Sequence, residues 1–414
     1  MRVVVLGAGV VGVSCAHQLS ADGHEVVVVE RHSDSARETS FANAGLVCPG
    51  HAYAWASPRA PLTLMRSLYR KDQALRFKPR LDFEFWRWTL EFLSQCTAAR
   101  ARTNTVNKLR LASYSQQVLD EVVAATAVSY DRVTQGILYV YRQSAAFDRG
   151  VEHIRILRDN GLQLEILDRD QVVALEPALA PVKDKIVGAV FAPGDQSGDA
   201  RAFTCSLARV CETEGVEFRF DTNALGLSIE NRRVRAVKTD RGEIGGDAFV
   251  LALGCFSGAF ARQLGARLSI YPIKGYSLTA PLREGGLVPC RPVIDEDRLV
   301  AMTPLGRRLR VTATAEFAGY DTSYRDSDFQ TMLATTRDLF PGAADYDDAI
   351  RWAGLRPMTP QGTPILGTGT LENLYFNTGH GSMGWSLASG SARATADLIA
   401  GREPAVDLDG MLLK

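Results

Sequence analysis

The sequence predicts an α/β fold in which a Rossmann-like dinucleotide-binding unit is interleaved with a second unit, and three observations predict it. Residues 1–30 spell out a strand, a glycine turn, a helix and a strand ending in an acid. A second strand, glycine turn and helix pattern recurs from Asn373 onward. Between them lie strand-like and helical stretches with no internal repeat, low-complexity tract or long linker, so the two units are expected to alternate along the chain.

Val3 to Leu6 is a continuous apolar run, as a parallel strand buried on both faces requires. It breaks into Gly7-Ala8-Gly9-Val10-Val11-Gly12. Gly7 allows the tight turn, Gly9 lets main chain approach a pyrophosphate, and Gly12 lets the next helix pack closely on the sheet. The helix turns its free N–H groups toward the phosphates and ends at Gly23. Glu25 to Glu30 reads as the second strand, with Glu30 placed to accept hydrogen bonds from ribose hydroxyls. A rival reading is a secretory signal, because Val3 to Ala21 carries no acid, lysine or arginine and follows Met1-Arg2. Three glycines interrupt its apolar core and a second strand follows without a break, so the chain is expected to begin folding at its first residues.

A chain of 414 residues is long enough for two domains with a large core. Lys plus Arg and Asp plus Glu are 47 each, which favours neither nucleic acid nor a strongly anionic partner and points to a small-molecule enzyme. The seven cysteines are scattered and form no C-x-x-C pair, which fits a reducing, cytoplasmic setting. The six histidines show no metal-ligand spacing, and no metal site is expected.

Residues 60–125 read as mostly helical, with Phe83, Phe85, Trp86, Trp88, Leu90, Phe92 and Leu93 recurring along one stretch. Two readings stand: a buried helix face, or a membrane-surface patch beside Arg66, Arg70, Lys71, Arg76, Lys78 and Arg80. Gly136 to Tyr141 reads as a strand. A helix follows Gly198-Asp199 to about Glu214, and Val216–Phe220 and Phe249–Leu253 read as strands of the nucleotide fold, the latter ending at Gly254.

Near the C-terminus, the strand Asn373–Asn377 runs into Thr378-Gly-His-Gly-Ser-Met-Gly-Trp385 and a helix over about Ser386 to Ala400, stopped by Gly401. The positive pole of that helix suits negative charge, and the alternative is a turn needed only for packing. Upstream, Gly354-Leu-Arg-Pro fixes Arg356 in an expected turn, where its guanidinium can fork onto a carboxylate. A surface or salt-bridged arginine is the ordinary alternative.

Five segments carry a resemblance: VVVLGAGVVGV at the start, ETSFANAGLVCPG at Glu38–Gly50, YPIKGYSLT at Tyr271–Thr279, GLRPMTPQGTPILG at Gly354–Gly367, and NTGHGSMGW at Asn377–Trp385. Together they resemble the D-amino acid oxidase superfamily of FAD enzymes, and within it the D-amino acid dehydrogenase small-subunit family, nearly end to end. The resemblance implies an FAD-binding domain at 1–55, 195–265 and 350–414, interleaved with an α+β substrate domain on an antiparallel-rich sheet at 56–194 and 266–349. FAD is the implied cofactor. Gly7, Gly9, Val10, Val11, Gly12, Glu30 and Arg31 would hold its ADP half. Ser40, Asn43, Ala44, Gly45 and Leu46 would wrap the flavin, with Gly254 beside it and Gly379, Gly381, Ser382 and Met383 against its pyrimidine edge. In that setting the helix pole would meet the charge that gathers on a flavin accepting a hydride. Arg356 would hold the substrate carboxylate, with Tyr276 a second contact and His51 a further catalytic candidate. The side chain of His380, between two glycines, reads as incidental.

The implied reaction is oxidative deamination of D-amino acids to 2-oxo acids by hydride transfer to flavin N5, with electrons passed to a quinone or other acceptor. No nucleic-acid partner is implied, and membrane contact would be peripheral, on the inner face of the plasma membrane. His51 stands where close members usually carry tyrosine, Thr312-Ala313 replaces a Gly-Gly pair, and Gln361 replaces an aspartate. Those departures keep a secondary, N-alkyl or proline-like amine open as substrate. An oxygen-using oxidase of the same fold and a non-catalytic electron-relay subunit also stand. A nicotinamide dehydrogenase fits residues 1–30 alone, and the C-terminal turn argues against it.

Overall fold

Val3 to Leu6 form the centre of a six-stranded sheet because alternate side chains find a core on each face. The computed structural model describes residues 1–67, 75–77 and 81–413. In it, β1 (Arg2–Leu6) runs parallel to β2 (Glu25–Val29) on one side and to the strand Ala248–Leu251 on the other. The full order is Ile365–Thr368, Leu374–Thr378, Ala248–Leu251, β1, β2, Glu217–Arg219, with only the first pair antiparallel. Val3 and Val5 pack with the helix layer, which contains α1 (Val10–Ala21) and the helices Ala200–Thr213 and Gly384–Ile399. Val4 and Leu6 pack on the other side with Leu227, Val234 and Val237 of a small three-stranded sheet.

A second sheet of nine described strands stands beside the first. Its order starts Ile350–Met358, Tyr271–Pro281, Arg308–Glu316, Val300–Leu305, and every neighbouring pair in that run is antiparallel. The pair Val293–Asp295 with Ile137–Tyr141 is parallel. Three helices follow the N-terminal unit: α2 (Ala60–Ser67), α3 (Phe83–Gln95) and α4 (Ala98–Thr126). Asp82 and Thr97 cap α3 and α4, each side chain accepting a main-chain N–H of the first turn.

The architecture is the expected Rossmann-like unit interleaved with an antiparallel-rich α+β unit, and several local expectations need correction. Arg356 sits on the strand Ile350–Met358, not in a turn, because that segment pairs residue by residue with Tyr271–Thr279. The strand is at the sheet edge, so Pro357 leaves no ladder bond unmade on its open side. It therefore belongs to the second sheet, although the sequence division grouped 350–414 with the nucleotide unit. Conversely, α4, grouped with the substrate segments at 56–194, packs Val118, Leu119 and Val122 into the helix layer of the nucleotide sheet. The strand at Ile137–Tyr141 joins the second sheet. The aromatic stretch divides between both readings: Phe85, Trp88 and Phe92 of α3 are buried, whereas Phe83, Trp86, Leu90 and Leu93 are exposed. Arg70, Lys71, Lys78 and Arg80 lie outside the described residues.

Candidate active site

One cavity of about 780 Å³ runs from the first glycine turn to Arg356, at a size typical of a site for a small molecule or cofactor. Its near end is made by the loop from β1 to α1. Gly7 has a positive φ of +102°, and a side-chain carbon there would come within 2.8 Å of the Ala252 carbonyl oxygen. At Gly12 the same atom would fall 1.8 Å from the Gly7 carbonyl oxygen, so only glycine lets α1 seat against its own turn. Glu30 follows β2, and its carboxylate accepts the main-chain N–H of Ala8 at 2.8 Å and of His32 at 3.0 Å. Those two bonds fix the carboxylate at the cavity wall, with oxygen lone pairs left for hydroxyl donors. The α1 N-terminus carries no acidic side chain in its first turn, which leaves its dipole, and its N–H groups other than that of Val10, available to an anion.

The middle of the cavity is a loop held by both sheets. Ser40 Oγ accepts the Val10 N–H at 3.0 Å, and Asn43 Oδ1 accepts the Gly45 N–H at 2.9 Å. From the second sheet, Arg310 donates to the Asn43 carbonyl and Thr303 to the Ala44 carbonyl, each at 2.8 Å. Ser386, in the last helix, donates to the carbonyl of Leu46 at 3.2 Å. Arg31 pairs with Glu38 and lies over the Phe256 ring at 4.0 Å. Gly254, Gly381, Ser382 and Met383 complete this wall, and Val11 lines the near end. Gly12 and Gly379 lie behind the lining residues. The glycine cradle, the fixed acidic acceptor and the long cavity fit a dinucleotide cofactor with an extended second half.

Arg356 occupies the far end. Its Nη1 donates to the Thr314 carbonyl at 2.9 Å, and among the described residues no carboxylate lies within 4.0 Å of it. Burial pushes its pKa down to about 10, which leaves it a cation at neutral pH. A charge held this way still has hydrogen-bonding capacity for a ligand carboxylate.

Tyr276 borders the same cavity, but its phenol is turned away from Arg356. Ile273 and Gly275 pair across the strands with Arg356 and Gly354, so Tyr276 points to the opposite face by strand alternation. Its ring meets Phe329 edge to face, and its hydroxyl donates to Glu316 Oε2 at 2.6 Å. The expected contact of this phenol with a substrate carboxylate is therefore withdrawn. His51 does line the cavity, stacked on Tyr139 at 5.7 Å, with Nε2 3.5 Å from Glu296 Oε1. His380 is buried, with Nε2 2.9 Å from Ser391 Oγ, and burial pushes its pKa down to about 3. It stays neutral across the ordinary pH range.

Sequence reasoning missed the groups behind His51. Buried Asp195 accepts the Tyr139 hydroxyl at 2.7 Å and the Gly50 N–H at 3.0 Å, and burial pushes its carboxyl up to about 7. Lys108 on α4 is buried with Nζ donating to the Tyr53 carbonyl at 2.7 Å, and burial pushes it down to about 8. No local motif marks these residues, since their partners are far away in sequence. Gly275 had a local signal: a glycine inside a strand marks a close approach, here that of the Arg356 side chain.

The family model for FAD dependent oxidoreductases of the DAO type matches residues 2–398. The chain is 49% identical to D-amino acid dehydrogenase 2 of Mesorhizobium japonicum over 413 residues, covering 100% of this chain and 99% of that one. It is 45% identical to the D-amino acid dehydrogenase of Agrobacterium fabrum over 407 residues, covering 98% and 97%. Among solved structures, the glycine oxidase of Bacillus cereus superposes with a TM-score of 0.76 at 25% identity, covering 97% of this chain and 96% of that one.

Proposed function

The chain belongs to the DAO family of FAD-dependent oxidoreductases, and from that premise we propose that it oxidises D-amino acids to 2-oxo acids with Arg356 as the carboxylate anchor. The observation that carries the proposal is the placement of Arg356. Its guanidinium faces the cavity end remote from Glu30, held by one main-chain carbonyl and opposed by no carboxylate among the described residues. A carboxylate-bearing substrate supplies the missing counter-charge.

FAD, when bound, supplies a two-electron acceptor for the hydrogen on the substrate carbon. Gly7, Gly9 and the α1 N-terminus would hold the pyrophosphate, Glu30 the ribose, and Ser40 to Leu46 with Gly381 to Met383 the flavin. Arg356 binds the carboxylate and so restricts the rotations of the substrate about its α-carbon. The walls from α2 and α3 exclude water from that carbon. Loss of the hydrogen with its electron pair needs a neutral amine, and an amine that enters neutral requires no base from the protein. His380, whose pKa burial lowers to about 3, would be a poor acceptor for an amine proton at neutral pH. Water then converts the imine to the 2-oxo acid and ammonia.

For the electron acceptor, the reading is a quinone met at a membrane surface, with the protein peripheral on the cytoplasmic side. Supporting it, α3 is apolar on both faces, with Phe83, Trp86, Leu90 and Leu93 exposed, and Leu62 and Met65 of the neighbouring α2 are exposed as well. No described helix is long and apolar enough to cross a membrane. The test is reoxidation of substrate-reduced protein by a soluble quinone compared with air. Faster reoxidation by quinone supports the reading, and rapid peroxide formation in air alone replaces it with an oxidase.

A further inference from the structure

We infer that the substrate side chain enters an aromatic pocket, and that the protein prefers D-amino acids with bulky apolar side chains to small or charged ones. The inference rests on Arg356 being the carboxylate anchor, and it goes further by naming the side-chain class. Arg356 is bordered on its own face of the sheet by Ile273, its cross-strand partner, and by Met358, two residues along its strand. Both belong to a buried apolar cluster built from α2, α3 and the second sheet. Leu64, Trp88, Phe92 and Phe317 of that cluster, with Trp55 and Leu75 packed against it, line the same cavity as Arg356.

The chemistry of this wall is one-sided. Trp88 spends its one donor on the Met358 carbonyl at 2.8 Å, so its ring presents only carbon to the cavity. Trp88 and Phe92 are stacked at 5.1 Å and 16°, and Trp88 also packs on Phe317 at 5.8 Å, which fixes the rings before any ligand arrives. The acids lining the cavity among the described residues are Glu30 and Glu38, both in the segment that carries the first glycine turn and its following loop. A charged side chain among these rings would lose its water, and Arg59, which lines the cavity just ahead of α2, is itself exposed and offers an acidic one only a solvent-screened partner. A methyl group would leave most of the rings untouched, and a leucine, phenylalanine or methionine side chain would be covered by them.

Two measurements test this on the FAD-loaded protein. The first is kcat/KM for D-phenylalanine, D-leucine, D-alanine, D-glutamate and D-lysine under one acceptor. The expected result is a preference of at least about tenfold for the two bulky apolar substrates over D-alanine, and a larger one over the charged pair. Equal or better use of D-alanine or of either charged substrate would overturn the inference while leaving D-amino acid oxidation standing. The second is equilibrium binding, by calorimetry, of the unreactive acids 3-phenylpropanoate, propanoate and succinate. Tighter binding of 3-phenylpropanoate by about tenfold or more supports the pocket, and equal binding of all three overturns it even if no amino acid is oxidised. Phe92→Ala is expected to shrink the ratio of D-phenylalanine to D-alanine in kcat/KM, and an unchanged ratio would count against the pocket.

Discussion

The guanidinium of Arg356 lies directly over the α-carbon of Gly275, so close that a side-chain carbon at Gly275 would meet its central carbon at 2.5 Å. Glycine in the middle of a strand weakens it and leaves no side chain to pack. Here that gap is the bed across which the arginine reaches toward the Thr314 carbonyl. Gly275→Ala is accordingly expected to displace Arg356 and raise KM about tenfold or more, with the flavin spectrum retained. Steady-state kinetics beside an absorbance spectrum check both halves of the statement.

Arg356→Ala removes the anchor itself. Loss of a charge-assisted pair worth about 3 kcal/mol corresponds to a KM increase on the order of 100-fold. Arg356→Lys keeps the charge and loses the fork, and should fall between parent and alanine variant. Unchanged constants in both variants would remove Arg356 from the site.

Gly12→Ala attacks the cofactor end. The added carbon would overlap the Gly7 carbonyl oxygen, so α1 must move off its turn and the phosphate cradle opens. The expected outcome is a purified protein with markedly lower bound flavin, measured as the ratio of absorbance near 450 nm to that at 280 nm, about tenfold or more below parent.

Asp195 predicts a pH dependence of stability. Its folded pKa, raised to about 7 by burial, lies above the ordinary carboxyl value of about 3.9. The unfolded chain releases this proton first, so stability is full below about pH 4, declines as pH rises toward 7, and is level above that. Asp195→Asn removes the titration and can keep an acceptor for the Gly50 N–H. The variant should melt higher than the parent at pH 8, by a difference that fades toward pH 4 and is on the order of a few kcal/mol at most. A difference independent of pH would contradict this assignment.

His380 is expected to matter little as an acid or base, although it sits in the glycine turn at the cavity wall. With its pKa near 3, it does not titrate between pH 5 and 9. His380→Gln should therefore leave the shape of the pH profile of kcat/KM unchanged. A lost limb in that profile would assign the proton to it.

Much of this was legible in the sequence because its signals are local. The four-residue apolar run and its glycines specify β1, the turn and α1 within a dozen positions, and Glu30 follows at a fixed distance. The loop Ser40–Leu46 and the turn at Gly381–Met383 were reached through resemblance, and both line the cavity. What failed depended on strand pairing. Arg356 reads as a turn residue between glycine and proline until Tyr271–Pro281 pairs with its segment, and that same register turns Tyr276 away. The positions of Asp195 behind His51 and of Phe317 beside Trp88 follow from folding partners more than fifty residues away, which no short pattern encodes.

The central claim is that this cavity, with Arg356 at its end, oxidises D-amino acids on bound FAD. The most direct test is an anaerobic absorbance titration of the yellow protein with D-, L- and N-alkyl amino acids. The account predicts that D-amino acids bleach the flavin absorbance and that their L-enantiomers do not. Bleaching by N-alkyl compounds alone would move the activity to secondary amines, and a spectrum that no amino acid changes would contradict the account.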